Sequence, residues 1–248
     1  RGRGLVQGPR AVVAARALYK EGFARMRMGD DAGATRAFTA LVEGHRDSEL
    51  LGETLFLLGE AHFRAERFEE CAAVLERLRR EEPRHETLPK ALFRLGLARA
   101  RLGAWAEAEE VLTGLLRSNP EFEHAAEAEL WRGRALAGRK NARGARAAFE
   151  RVIALDKGVL SARARLALGA LSRDWGDLEE ALSHYLKVAV LYAHEAEVAE
   201  ALWMAGRCLE EQGDPARAAD QYRELLERVP RAEQAAQARA RLRELERG

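Results

Sequence analysis

Apolar and polar positions along the chain follow helical spacing, and β-branched residues form no alternating runs, so every element is expected to be a helix. The stretch Ala201–Pro230, ALWMAGRCLEEQGDPARAADQYRELLERVP, reads as two short amphipathic helices that meet at Gly213-Asp214-Pro215. Ala91–Pro120, ALFRLGLARARLGAWAEAEEVLTGLLRSNP, has the same length and the same punctuation. The two belong to a longer series. Gly22, Gly59, Gly96, Gly133, Gly169 and Gly206 are separated by 37, 37, 37, 36 and 37 residues. Twelve residues after each stands a small side chain: Ala34, Cys71, Ala108, Ala145, Ala181 and Ala218. Sixteen after each stands a large apolar one: Phe38, Leu75, Leu112, Phe149, Tyr185 and Tyr222. Five before each stands another small residue: Ala17, Thr54, Ala91, Ala128, Ala164 and Ala201.

Each marker has a physical task. A glycine inside a helix costs roughly 1 kcal/mol of helix propensity, which close packing must offset. The expected contact is with the second helix of the hairpin. There the small residue twelve later would face the glycine, and the large one would fill the space beside it. Gly29-Asp30, Gly176-Asp177 and Gly213-Asp214-Pro215 supply a glycine to end one helix and an aspartate to cap the next; the last adds proline at the first helical position.

This register resembles the tetratricopeptide repeat, W-x2-L-G-x2-Y…A-x3-F…P. The second repeat gives Leu55, Leu58, Gly59, His62, Cys71, Leu75 and Pro83; the third gives Leu92, Leu95, Gly96, Ala108, Leu112 and Pro120. The sixth gives Leu202, Ala205, Gly206, Leu209, Ala218, Tyr222 and Pro230. The first, fourth and fifth are degenerate, with Glu21, Glu129, Arg132 and Arg165 at positions that are usually apolar. The resemblance covers about residues 12–230 and implies a right-handed α-solenoid of six hairpins, near 15–47, 52–84, 89–121, 126–158, 162–194 and 199–231. Residues 232–246 read as a C-terminal capping helix over the last apolar face. Residues 1–8 read as a flexible start, and no linker or composition shift divides 9–248, which is therefore expected to be one array. A spacing of 37 instead of the common 34 is similar to bacterial cell-envelope members of the family, of the tol-pal system and outer-membrane assembly lipoprotein types. That likeness favours the periplasm or envelope over the cytoplasm.

Composition narrows the function. Apolar residues make up 47% and charged residues 33%, enough to build a core of amphipathic helices. The net charge of +1 gives no overall field for nucleic acid, and the longest apolar runs, such as Val188–Ala193, are too short to span a membrane. The opening RGRGLVQGPR shows neither Met nor an apolar segment of the signal-peptide kind, as a mature or excised fragment also would. Cys71 and Cys208 read as small packing residues, and His62 as a core residue. The six histidines form no metal-ligand motif, and P-loop, GxSxG and GxGxxG motifs are absent. No catalysis and no cofactor is expected.

The resemblance places the groove on the first helix of each hairpin, with the residue three before each glycine facing it: Tyr19, Phe56, Phe93, Leu130, Leu166 and Trp203. Such a ladder either grips a partner segment or packs between neighbouring first helices. Polar groove positions are basic in the first three repeats, with Arg16, Lys20, Arg27, Arg64, Lys90, Arg94 and Arg101 against Glu53 and Glu60. Tyr19, Arg27, Phe56, Arg64, Phe93, Arg94, Arg101 and Trp203 are therefore the candidate groove contacts, and an acidic partner segment is their matching ligand. The expected function is a non-enzymatic scaffold that holds a protein partner, within a bacterial envelope assembly. Two other readings stay open: the interaction or sensor part of a larger regulator or enzyme, and a self-assembling scaffold.

Overall fold

The computed structural model describes residues 8–247, so that, Gly8 apart, the flexible start assigned to residues 1–8 lies outside the described residues. The chain groups into two compact units, Arg1–Ala125 and Ala126–Gly248, where the sequence sets no boundary. A repeat array is held by contacts between neighbours, so a division into units requires no linker or change of composition to mark it.

In the first unit three hairpins follow one another: α1 (Pro9–Arg27) with α2 (Asp31–Gly44), α3 (Leu51–Arg64) with α4 (Phe68–Glu81), and α5 (Leu88–Arg101) with α6 (Trp105–Ser118). Each first helix packs on its own second helix and on the neighbouring first helix, and α2 and α4 pack on the first helix that follows. The second unit holds α7 (Ala125–Gly138, all but its first residue) with α8 (Ala142–Leu155), α9 (Val159–Asp174) with α10 (Leu178–Leu191), α11 (Glu195–Glu211) with α12 (Pro215–Arg228), and the single helix α13 (Ala235–Leu245). No strand occurs among the described residues, and the fold is an all-α solenoid of helical hairpins.

The glycine register explains the hairpins, with one change of partner. A Cβ on any of the six glycines would come under 3.0 Å from the large residue sixteen positions later, from Gly22 against Phe38 to Gly206 against Tyr222. The large side chain, not the small one, therefore sits directly on the glycine. All six large residues and all six small ones are buried. Of the small residues five before the glycine, Ala17 alone is exposed; it lies on α1, which packs against α2 and α3.

Seven residues after each glycine the first helix ends in a left-handed residue. Gly29, Gly103, Gly176 and Gly213 take this place at φ between 73° and 82°. Glu66 and Lys140 take it at φ 56° and 60°, where a side chain costs about 1 kcal/mol. The next helix is capped by Asp30, Asn141, Asp177 or Asp214, whose side chains accept N–H groups of Gly33, Gly144, Glu180 and Arg217 at 2.8–3.1 Å. Polar groups at the degenerate apolar positions find partners in place: buried Glu129 accepts from Arg132 at 3.0 Å and from Arg151 at 3.3 Å. Arg165 donates to the Tyr192 hydroxyl at 3.1 Å. Burial and nearby Arg67 hold the His62 imidazole below its usual range, and its Nδ1 accepts from Arg67 at 3.0 Å. Cys71 and Cys208 are buried free thiols, and burial pushes Cys71 up to about 12, so it packs instead of reacting.

At the end of the second unit α13 lays Ala235 and Ala238 into the cluster formed by Leu209, Tyr222 and Leu225. Arg241 fastens it to Glu210 at 2.8 Å, and Glu210 also accepts from the Tyr222 hydroxyl at 2.6 Å.

Candidate partner-binding surfaces

In the first unit Arg64, Arg94 and Arg101 converge on one cleft of about 370 Å³, between the α3–α4 turn and α5, together with Glu60, Phe63, Glu66 and Phe68. The two phenylalanines form its aromatic floor and meet edge to face at 5.3 Å. The Arg94 guanidinium lies 4.5 Å from the Phe63 ring and donates to Glu60 at 3.0 Å, which ties α5 to α3. Arg101 lies 4.9 Å from the Phe68 ring. Its contact with Glu66 is loose, 3.9 Å, with both side chains well exposed. Arg64 is paired with Asp31 of the preceding hairpin. The cleft thus presents three fixed guanidiniums over an aromatic floor, with Arg101 held least tightly by an acid of its own chain.

The other groove candidates are distributed differently. Arg27 is exposed at the end of α1, with no carboxylate at ion-pair distance among the described residues. Tyr19 is half-buried, stacked on Phe23 at 6.3 Å and tilted against Phe38 at 6.4 Å. Phe56 is half-buried against the first unit's core. Phe93 is buried, edge-on to Phe122 and stacked on His124, each at 5.6 Å. In the second unit Trp203 is half-buried, 5.2 Å from the Tyr222 ring, while Leu130 and Leu166 are buried. The position three before the glycine is therefore not an evenly open ladder. Phe63 and Phe68, which complete the cleft, lie nearer the turn; the phenylalanine that opens α4 stands where α2 has Asp31 and α12 has Pro215.

A second cleft of about 370 Å³ lies in the second unit, lined by Arg134, Arg163, Leu166, Ala167, Ala170, Glu197 and Glu200. Arg163 donates to buried Glu197 at 2.7 Å, and Arg134 lies over the Trp131 ring at 4.7 Å. Burial, and then Arg163, lowers the Arg134 pKa. Desolvation, and then Glu197, pushes the Glu200 carboxyl above the usual range. Arg163 and Glu197 thus form the ion pair of this cleft, while desolvation disfavours the charged forms of Arg134 and Glu200. Among the described residues no group of His, Cys, Asp and Glu could hold a metal ion, and no helix is long and apolar enough to cross a membrane.

Tetratricopeptide repeat models match residues 56–121, 93–158 and 176–233, and a second model of the same repeat matches 16–48. The chain belongs to the tetratricopeptide repeat family. Proteins of this family are in general non-enzymatic scaffolds that bind other proteins, and the hairpins described above are of that kind. Among solved structures the chain is similar to MamA of Desulfovibrio magneticus RS-1, with 20% identity, a TM-score of 0.63, and coverage of 72% of this chain and 94% of that one. It is also similar to PilW, a widely conserved type IV pilus biogenesis factor, with 16% identity, a TM-score of 0.64 and coverage of 96% and 99%. A tetratricopeptide repeat protein from Parabacteroides merdae shares 16% identity at a TM-score of 0.61, with coverage of 94% and 99%. No curated protein matches the chain.

Proposed function

We propose that this tetratricopeptide repeat protein is a non-enzymatic scaffold whose first unit holds an acidic segment of a protein partner. The observation that carries this reading is the convergence of Arg64, Arg94 and Arg101 on one aromatic-floored cleft. A carboxylate entering it would displace the loose Glu66 from Arg101, and apolar side chains beside it would rest on Phe63 and Phe68. Arg27, Tyr19 and Phe56 on α1 and α3 extend the surface for a longer segment, and Phe93 contributes by fixing the α5 end through Phe122 and His124. Trp203 is an aromatic contact of the second unit. The setting we propose is an assembly of the bacterial envelope. The 37-residue spacing supports it, as does the fold likeness to a pilus biogenesis factor.

The test is capture of a partner from a bacterial envelope fraction with the intact chain, followed by calorimetry with its acidic segment. Arg64→Glu with Arg101→Glu should weaken binding by about tenfold or more, since two attractive contacts become repulsive. Affinity should also fall as salt rises. Binding that ignores both the double change and the salt would reject the reading.

A further inference from the structure

One face of α10 is left uncovered by its neighbours α9 and α11. It lines an open groove of about 950 Å³, with Glu179, Ser183, Leu186, Lys187 and Val190 along the helix and the start of α12 on the far side. Val190 is 79% exposed and Leu191 61% exposed at one end of this helix, continuing the strip that Leu182 and Leu186 begin in the groove. Large apolar groups left this open on a charged protein mark a surface that associates.

The order of residues along this face says with what. Glu179, Ser183 and Lys187 are spaced four residues apart, on one side of the helix. Glu179 and Lys187 are both exposed, lie two turns apart, and make no ion pair among the described residues. Turned end for end about Ser183, the face becomes its own complement. Glu179 falls opposite Lys187 twice over, and the small Ser183 meets itself where two helices must approach closest. Antiparallel helix dipoles favour the same arrangement.

We propose that α10 pairs antiparallel with α10 of a second copy of this chain, about a two-fold axis at Ser183. The interface is isologous: each copy contributes the acid at one end and the base at the other, with Leu186 and Val190 on the same strip. This pairing uses none of the residues of the Arg64–Arg94–Arg101 cleft, so the two proposals stand or fall separately.

Sedimentation of the intact chain from low micromolar to near-millimolar concentration should show a monomer–dimer equilibrium. Val190→Glu should shift it toward monomer without altering helical content or melting temperature. Lys187→Glu and Glu179→Lys should each weaken dimerisation by about tenfold, because each places like charges opposite one another. The double change, Glu179→Lys with Lys187→Glu, should restore it. Ser183→Cys, oxidised with diamide, should yield a covalent dimer, since the two thiols meet at the axis while Cys71 and Cys208 are buried. A wild-type chain that stays monomeric throughout would overturn the proposal. So would a dimer indifferent to Val190→Glu, or one that the double charge swap fails to restore.

Discussion

The clefts of the two units are equal in volume, about 370 Å³ each, and opposite in chemistry. The first gathers three arginines and two phenylalanines against two glutamates and Asp31, which pairs with Arg64 from the preceding hairpin. The second sets two arginines against two glutamates along an aliphatic wall, with Glu197 buried and bonded at 2.7 Å. The two lie at different places on the hairpins, the first at the α3–α4 turn against α5 and the second along α7, α9 and α11. The same fold thus offers several surfaces, and the residues outside the repeat pattern fix what each can bind. Both clefts are partly satisfied by their own chain. In the first, Arg101 is held only by a 3.9 Å contact with exposed Glu66, which a partner carboxylate displaces at little cost. In the second, the Arg163–Glu197 pair involves a buried carboxylate that is costly to strip of its partner.

The largest effect should come from breaking what the units share. Gly96→Ala and Gly206→Ala each push a Cβ into the side chain sixteen residues on, so both should destabilise the protein, by about 1–3 kcal/mol. They should not do so equally. Leu112 can change rotamer to yield to Gly96→Ala, whereas the Tyr222 ring opposite Gly206 is held by Glu210 and by Trp203. Denaturant melts should therefore rank Gly206→Ala as the more damaging. Equal, negligible losses would mean that the glycines do not set the helix spacing.

Next in size are the strained turns, of which each unit has one. Glu66→Gly and Lys140→Gly should each stabilise by about 1 kcal/mol, because glycine occupies a left-handed backbone without penalty. A thermal melt that falls instead would show that the side chain contributes more than the strain costs. In the first unit Glu66→Gly also removes the loose partner of Arg101, so it should tighten acidic ligands; Lys140→Gly should leave them unaffected.

The smallest effect is electrostatic. Glu180 accepts from both terminal nitrogens of Arg146 at 2.6 and 2.7 Å and from the Ser172 hydroxyl at 2.7 Å, and these bonds hold its carboxyl down to about 2. A carboxyl lowered on folding contributes stability above its unfolded range, and that contribution is lost as pH falls from about 5 toward 2. Glu180→Gln should flatten the stability profile in that window. An unchanged slope would deny this pair its role.

The register of six glycines and their large partners was legible in the sequence because it depends on spacing alone. The left-handed turns at Glu66 and Lys140 were not legible, since neither residue carries the glycine signal. The conformation closes the helix end through the N–H groups of Arg67 and Asn141, which donate to the carbonyls of His62 and Leu136. The same limit applies to the site. Arg64, Arg94 and Arg101 could be placed by repeat position. That Phe63 and Phe68 lie beneath Arg94 and Arg101 depends on how the α3–α4 turn is packed against α5. Burial of Phe93 depends on Phe122 and His124, which follow α6 and belong to no repeat position with a fixed residue type. Glu129, Arg132 and Arg165 mark degenerate repeats in the sequence, and the structure shows that pairing lets them occupy those places.

The difference between the clefts is best tested by calorimetry of one acidic partner segment against two variants of the intact chain, at low and high salt. One carries Arg64→Glu with Arg101→Glu in the first unit; the other carries Arg134→Glu with Arg163→Glu in the second. The account predicts a loss of about tenfold or more for the first variant, greatest at low salt, and binding close to wild type for the second. Equal losses in both variants, or a loss confined to the second, would contradict it.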